Sequence, residues 1–231
     1  MARDNHPKIR QDKKLQRKKA LKKGADRLLI VTEGKKTEPY YFDEIRTHYR
    51  LSTARVEIMQ SKYGTTPQQV VDFAVDKCNE TKEYESVYCV FDRDDHPNFL
   101  NALYSVNAQH RKHKNDNKEL INFYATPSIP CFELWLLLHF VPVRSYMHRD
   151  EIQRQLSDSD KLPNYAKGGH GYFDMTRKRL EVAHKHADLL TANDPLGREK
   201  NTANPYTSVG NLVQVLTSMN TRCHGKPIPK F

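Results

Sequence analysis

Between residues 27 and 125 the chain alternates short β-branched apolar runs with amphipathic stretches of helical period. The apolar runs are Arg27–Thr32 (RLLIVT), Arg55–Gln60, Ser86–Phe91 (SVYCVF) and Glu119–Ala125 (ELINFYA). Between them lie Thr37–Arg50, Thr66–Asn79 and Asn98–Gln109, each long enough for three or four helical turns. Strands joined in this way by helices pair in parallel through right-handed crossovers. The expected core is thus an α/β, Rossmann-like, mostly parallel four-stranded sheet flanked by helices. In such sheets binding and catalysis gather beyond the carboxyl ends of the strands. The residues directly after the first and third runs therefore carry the functional question.

Local signals support the element order. Thr66 caps the second helix, Pro67 takes its first position, and Val70, Val71, Ala74, Val75 and Cys78 share one face. In the first helix Tyr41, Ile45 and Tyr49 recur at spacing four, with Thr37 expected as N-cap. From residue 130 the pattern turns helical. Pro130–Phe140 (PCFELWLLLHF) predicts a buried helix, and His148–Leu156, Phe173–Leu190 and Tyr206–Met219 predict amphipathic ones. The expected organisation is a basic arm over 1–26, an α/β domain over 27–129 and a helical extension over 130–231 packed on it.

Charge is concentrated at one end. The chain carries +10 overall, and residues 1–27 hold 11 bases against three acids. A basic arm suits a nucleic-acid backbone or another anionic partner, and Lys18, Lys19, Lys22 and Lys23 are its densest part; the alternative is a solvated tail. No apolar run approaches the roughly 18 residues of a membrane span. The basic start has no apolar segment behind it, so a secretory signal is not expected. The four cysteines, Cys78, Cys89, Cys131 and Cys223, form no CxxC pair. That argues against a zinc ribbon or a disulfide scaffold and for the cytoplasm.

Glu33 follows the first strand, and Asp92 and Asp94 follow the third (VFDRDD). If these strands are neighbours, three carboxylates converge at one sheet edge. Such a cluster repels itself unless a cation joins it, and hard oxygen donors suit Mg²⁺ or Mn²⁺. Read without a metal, Glu33 and Asp92 are turn residues and Asp94 and Asp95 are helix caps. Both readings are open at this point. Glu133 stands alone among Phe132, Leu134, Trp135 and Leu136. A carboxylate placed so deep needs a metal, a group that orients one, or an ion pair with Lys or Arg. Glu38 reads as a first-turn acid favoured by the helix dipole, and His139 as a satisfied helix-end histidine.

Gly34-Lys35-Lys36-Thr37 lacks the upstream glycine of a P-loop, and Lys36 stands where Ser or Thr should follow the lysine. Lys35 and Lys36 could still hold a scissile phosphate beside the acids. The loop NYAKGGHGY offers Lys167 to a phosphate, and Tyr165 or His170 to a base, unless it is a plain surface loop. No nucleophile-elbow serine is present.

An apolar strand ending in Glu-Gly, an α/β unit, and an apolar strand ending in Asp-x-Asp together resemble the Toprim domain of topoisomerases, primases and OLD-family nucleases. The strings LIVTEGKKTEPYYF (Leu29–Phe42), VFDRDDH (Val90–His96), PCFELWLLLHF (Pro130–Phe140) and NPYTSVGNLVQVL (Asn204–Leu216) resemble the RloB-like family more closely. The resemblance covers about residues 27–219. It implies that Glu33, Asp92 and Asp94 bind metal, with Glu33 also a candidate acid or base. It implies a metal-dependent endonuclease acting on DNA or RNA in bacterial antiphage defence and abortive infection, tRNA being one candidate substrate. It also implies an ATPase partner encoded nearby. Glu133 and Lys35 join the expected catalytic set, and Lys35, Lys36, Lys167 and the arm lysines the nucleic-acid contacts. The rival expectation is a non-catalytic subunit that binds nucleic acid through the arm and an ATPase through its C-terminal helices. Self-association into a homo-oligomer is left open.

Overall fold

A computed structural model describes residues 26–190 and 204–221. Its sheet has the order β2-β1-β3-β4-β5. The first four strands, β1 (Leu28–Thr32), β2 (Val56–Gln60), β3 (Ser86–Asp92) and β4 (Asn122–Ile129), are parallel. They are joined by α1 (Thr37–His48), α2 (Pro67–Thr81) and α3 (Phe99–Gln109). The α/β reading therefore holds, with one correction: the sheet has five strands. Tyr206–Thr207 forms β5, antiparallel to Ile129 and Ser128 of β4. The sequence pattern assigned these residues to a helix; α8 instead begins at Val209 and runs to Thr221. The Thr207 hydroxyl accepts from the Val209 N–H at 3.3 Å, at the start of α8.

Alternation along the strands divides the core in two. Leu28 and Ile30 of β1, with Tyr88 and Val90 of β3, face α1 and the C-terminal helices. Leu29 and Val31, with Val87, Cys89 and Phe91, face α2 and α3. A parallel sheet covered on both faces needs this apolar continuity. The C-terminal half shares the first core: Trp135, Leu138, Leu212 and Leu216 pack with β1 and α1. Trp135 Nε1 donates to the Tyr41 hydroxyl at 2.8 Å, wholly buried.

Boundaries moved where local rules competed. β4 continues past Ala125 through Pro127 to Ile129. Proline cannot donate to a ladder, but β5 pairs only with Ser128 and Ile129, so β4 is nearly an edge at that point. The buried segment after Pro130 is helical only over α4 (Glu133–Leu137), and α5 spans Arg149–Leu156. The helix expected over Phe173–Leu190 breaks into α6 (Tyr172–Thr176), a 3₁₀ turn (Arg177–Arg179) and α7 (Leu180–Asp188). At the break Thr176 turns its hydroxyl back onto the carbonyls of Tyr172 and Phe173, a bond that competes with regular helix. The capping box of Thr66 and Gln69 with Pro67 behind it forms as expected. Thr37 does not cap α1; it is the first helical residue, and Lys36 precedes it. Among the described residues no helix is long and apolar enough to cross a membrane. Cys78, Cys89 and Cys131 are buried and free. The arm, with Lys18, Lys19, Lys22 and Lys23, and Cys223 lie outside the described residues.

Candidate functional site

β1 and β3 are neighbours, with Thr32 opposite Val90. The ladder runs one step further, as the Glu33 N–H donates to the Val90 carbonyl at 3.0 Å. The Glu33 side chain then curls across the strand end, and its Oε2 accepts from the Asp92 N–H at 3.0 Å. Glu33 is 9% and Asp92 8% exposed. Beyond β3 the chain turns at Asp94, whose φ of 35° is in the left-handed region. The turn is pinned to the end of β4: the N–H groups of Arg93 and Asp94 donate to the carbonyls of Ser128 and Pro130. Asp94 Oδ2 accepts from Arg149 Nη1 at 2.7 Å, while its Oδ1 is buried without a partner.

Two further acids close the cluster. Glu38, in the first turn of α1, is buried, with its carboxylate folded back on Gly34 where a Cβ would collide with it. A side chain at residue 34 is therefore incompatible with this arrangement. Glu133, 2% exposed, accepts from the Tyr165 hydroxyl at 2.8 Å. Its companion is thus a phenol, and among the described residues it forms no ion pair.

Burial, only partly offset by the Asp92 N–H, pushes the Glu33 carboxyl up to about 7; the charges of Glu38 and Asp94 push the same way. Burial and the Glu133 charge raise Glu38 to about 7. Asp92 is driven well above the ordinary carboxylate range by burial and by Glu38, Glu133, Glu33 and Asp94. Five carboxyl groups thus share one electrostatic neighbourhood, in which burial favours the protonated form of Glu33, Glu38 and Asp92.

The opposing charge comes from the glycine-rich loop. The Gly168 N–H donates to Thr37 Oγ1 at 2.9 Å. The Gly171 and Phe173 N–H groups donate to Glu44 Oε1 and Oε2 at 2.6 and 2.9 Å. His170 stacks on Tyr40 with ring centroids 3.8 Å apart. Gly168 and Gly171 adopt φ of 82° and 86°, which glycine reaches without steric penalty. Held against α1 in this way, the loop brings Lys167 to the acids, where its charge lowers both Glu33 and Glu38. The result is a cleft of about 500 Å³ between Glu33–Glu38, Asp92, Asp94, His96, Thr65 and Lys167. His96 Nε2 lies 3.5 Å from Glu33 Oε1.

The expected residues Glu33, Asp92, Asp94, Lys35, Lys36 and Lys167 all line this cleft. Glu133 stands behind it, coupled by charge to Asp92 and Glu38. Tyr165 and His170 are committed to Glu133 and Tyr40 within the chain. His139 is only half satisfied: Nδ1 pairs with the Trp135 carbonyl at 2.9 Å, but Nε2 is buried without a partner. Sequence reasoning missed Glu38, His96, Thr65 and Arg149. The signal for Glu38 was the glycine turn that folds residues 33 and 38 toward each other; nothing local marks Arg149.

The donor set fits a hard divalent cation: every acid contributes oxygen, the carboxylates need positive charge, and Asp94 Oδ1 lacks a partner. Among the described residues no three His, Cys, Asp or Glu side chains already stand close enough to hold a metal ion.

The family model described as "RloB-like protein" matches residues 28–216. Comparison with curated proteins gives no match, and comparison with solved structures gives none.

Proposed function

This chain belongs to the RloB-like family, and we propose that its cleft is the active site of a divalent-metal-dependent endonuclease acting in bacterial antiphage defence. The observation that carries the reading is the joining of Glu33 to Asp92 at adjacent strand ends with Lys167 facing them. A bare acidic cluster would repel a phosphodiester; an acidic cluster rimmed by lysines suits a substrate that is itself anionic and reacts beside a cation. Glu33, Asp92 and Asp94 would hold Mg²⁺ or Mn²⁺, with Glu38 beside them in the cleft and Glu133 behind it adding negative charge. The metal would supply Lewis-acid polarisation of the phosphate and a more acidic bound water. Lys167, Lys35 and Lys36 hold the phosphate by charge. Without a metal the Glu33 carboxyl is raised to about 7, so a cation bound there would displace a proton near neutral pH. Tyr165 fixes Glu133, and Arg149 fixes Asp94. An ATPase partner encoded nearby would restrain or trigger the activity.

The test is cleavage of plasmid, single-stranded DNA and bulk tRNA by wild type and Glu33→Gln, with Mg²⁺ or Mn²⁺ and with EDTA as control. Cleavage by wild type alone, abolished by EDTA, supports the reading and identifies the substrate. If neither protein cuts, alone or with the partner ATPase, the reading fails and a binding subunit takes its place.

A further inference from the structure

Asp94 separates the acidic cleft from a second cavity of about 380 Å³. One wall is the turn after β3, Arg93–Asp95; another is the end of β4, Ile129 and Pro130; the third is the segment Tyr146–Arg149. Two guanidinium groups, Arg93 and Arg149, and one aromatic ring, Tyr146, border the same space. Tyr146 is 70% exposed, the most exposed large apolar side chain among the described residues. Its segment is nevertheless held. The Asn204 amide accepts from the Met147 N–H at 3.4 Å and donates to the Met147 carbonyl at 3.3 Å. Two residues on, Tyr206 and Thr207 pair with β4. Residues 204–207, the NPYT motif, therefore clamp the Tyr146–Arg149 wall to the sheet end that carries the cleft.

We propose that this cavity receives an unpaired nucleotide next to the scissile phosphate, so that the substrate is a nucleic acid with a single-stranded stretch. The proposal rests on the reading of the cleft as a phosphodiester-cleaving site. The volume is in the range of small-ligand sites. An exposed aromatic ring offers a stacking face to any base, but only to one out of its duplex, because paired bases turn their faces to one another. Guanidinium groups recognise phosphate through paired N–H donors. Asp95 on the same wall disfavours an isolated anion and suits a ligand that also brings an apolar ring. Arg149 borders this cavity and holds the carboxylate of Asp94, the residue that lines both spaces. A strand lying across Asp94 would place one phosphate over the acids and the adjoining base on Tyr146.

The experiment measures binding of a fluorescein-labelled single-stranded 12-mer, as DNA and as RNA, with Ca²⁺ in place of Mg²⁺. A blunt duplex of twelve base pairs is the control, and a 2-aminopurine in the single strand reports stacking by quenching. Tyr146→Ala should weaken single-strand binding about tenfold, the lower part of what one base–aromatic stack contributes, and remove the quenching. Tyr146→Trp should retain both, and the duplex should bind all three proteins alike. Equal single-strand binding by wild type and Tyr146→Ala overturns the proposal, as does a wild type that binds no single strand or prefers the duplex. Tyr146-dependent binding without any cleavage leaves this cavity standing and removes the cleavage reading. Cleavage lost in Glu33→Gln, with Tyr146→Ala binding as wild type does, has the reverse meaning.

Discussion

The N–H of Asp92 donates a 3.0 Å hydrogen bond to the carboxylate of Glu33, 59 residues away in the chain. Through it two acids that end adjacent strands are locked side by side in a place that excludes most water. The geometry carries a cost, visible in the raised protonation of both groups.

Stability should therefore depend on pH and on metal. Glu33 and Glu38 have folded-state values of about 7 against an ordinary 4.5. Between those values the folded chain binds more protons than the unfolded one, so stability falls as pH rises. The two groups interact, and the loss over the pair is on the order of 3 kcal/mol. In EDTA, Tm should drop from pH 4.5 to 7.5 more steeply for wild type than for Glu33→Gln or Glu38→Gln. Mg²⁺ or Mn²⁺ should raise Tm at pH 7.5 in wild type and less in the variants. A wild-type Tm indifferent to both metals would count against cation binding.

Gly34→Ala should separate activity from folding. The new Cβ meets the Glu38 carboxylate, the mobile end of a side chain, which can swing away. The expected outcome is at least about a tenfold loss of metal-dependent cleavage, with Tm lowered by no more than a few degrees. This follows from how strongly catalysis depends on position. Intact cleavage would show that Glu38 has no part in it.

Glu44 lies away from the cleft but holds the lysine loop through two backbone N–H groups. Glu44→Ala leaves both donors without their acceptor, a loss of about 1–3 kcal/mol. Nucleic-acid affinity should fall in parallel with that of Lys167→Ala, and limited proteolysis should cut within residues 165–171 faster than in wild type. Unchanged affinity would mean that Lys167 is placed without the loop's help.

Tyr41→Phe tests the core alone. It strands the buried N–H of Trp135, at about 1–3 kcal/mol. Trp135 is the sole tryptophan, so its fluorescence reports the transition directly in urea melts. Cleavage at 25 °C should match wild type.

Much of this arrangement is written in residues that neighbour one another along the chain. β-branched runs ending in Glu33 and Asp92 place both acids at strand ends, and the order of strands and helices makes those ends adjacent. Thr66 and Pro67 announce the start of α2. What escaped was set by partners distant in sequence. Glu38 has the spacing of a dipole acid, and only the fold of the glycine turn buries it. Arg149 meets Asp94 across 55 residues. Tyr206 and Thr207 have the composition of a helix start, and they extend because β4 offers a free edge.

The two cores on either side of the sheet have a consequence for the order of synthesis. Leaving the ribosome first, residues up to β4 contain Glu33, Glu38, Asp92 and Asp94 and can pair their strands. They lack Glu133, the Arg149 that restrains Asp94, the lysine loop and the NPYT clamp, all of which arrive later. A chain interrupted midway holds Glu33, Asp92, Lys35 and Lys36 but neither Lys167 nor Arg149, so the side of the cleft that the later segment supplies is still missing.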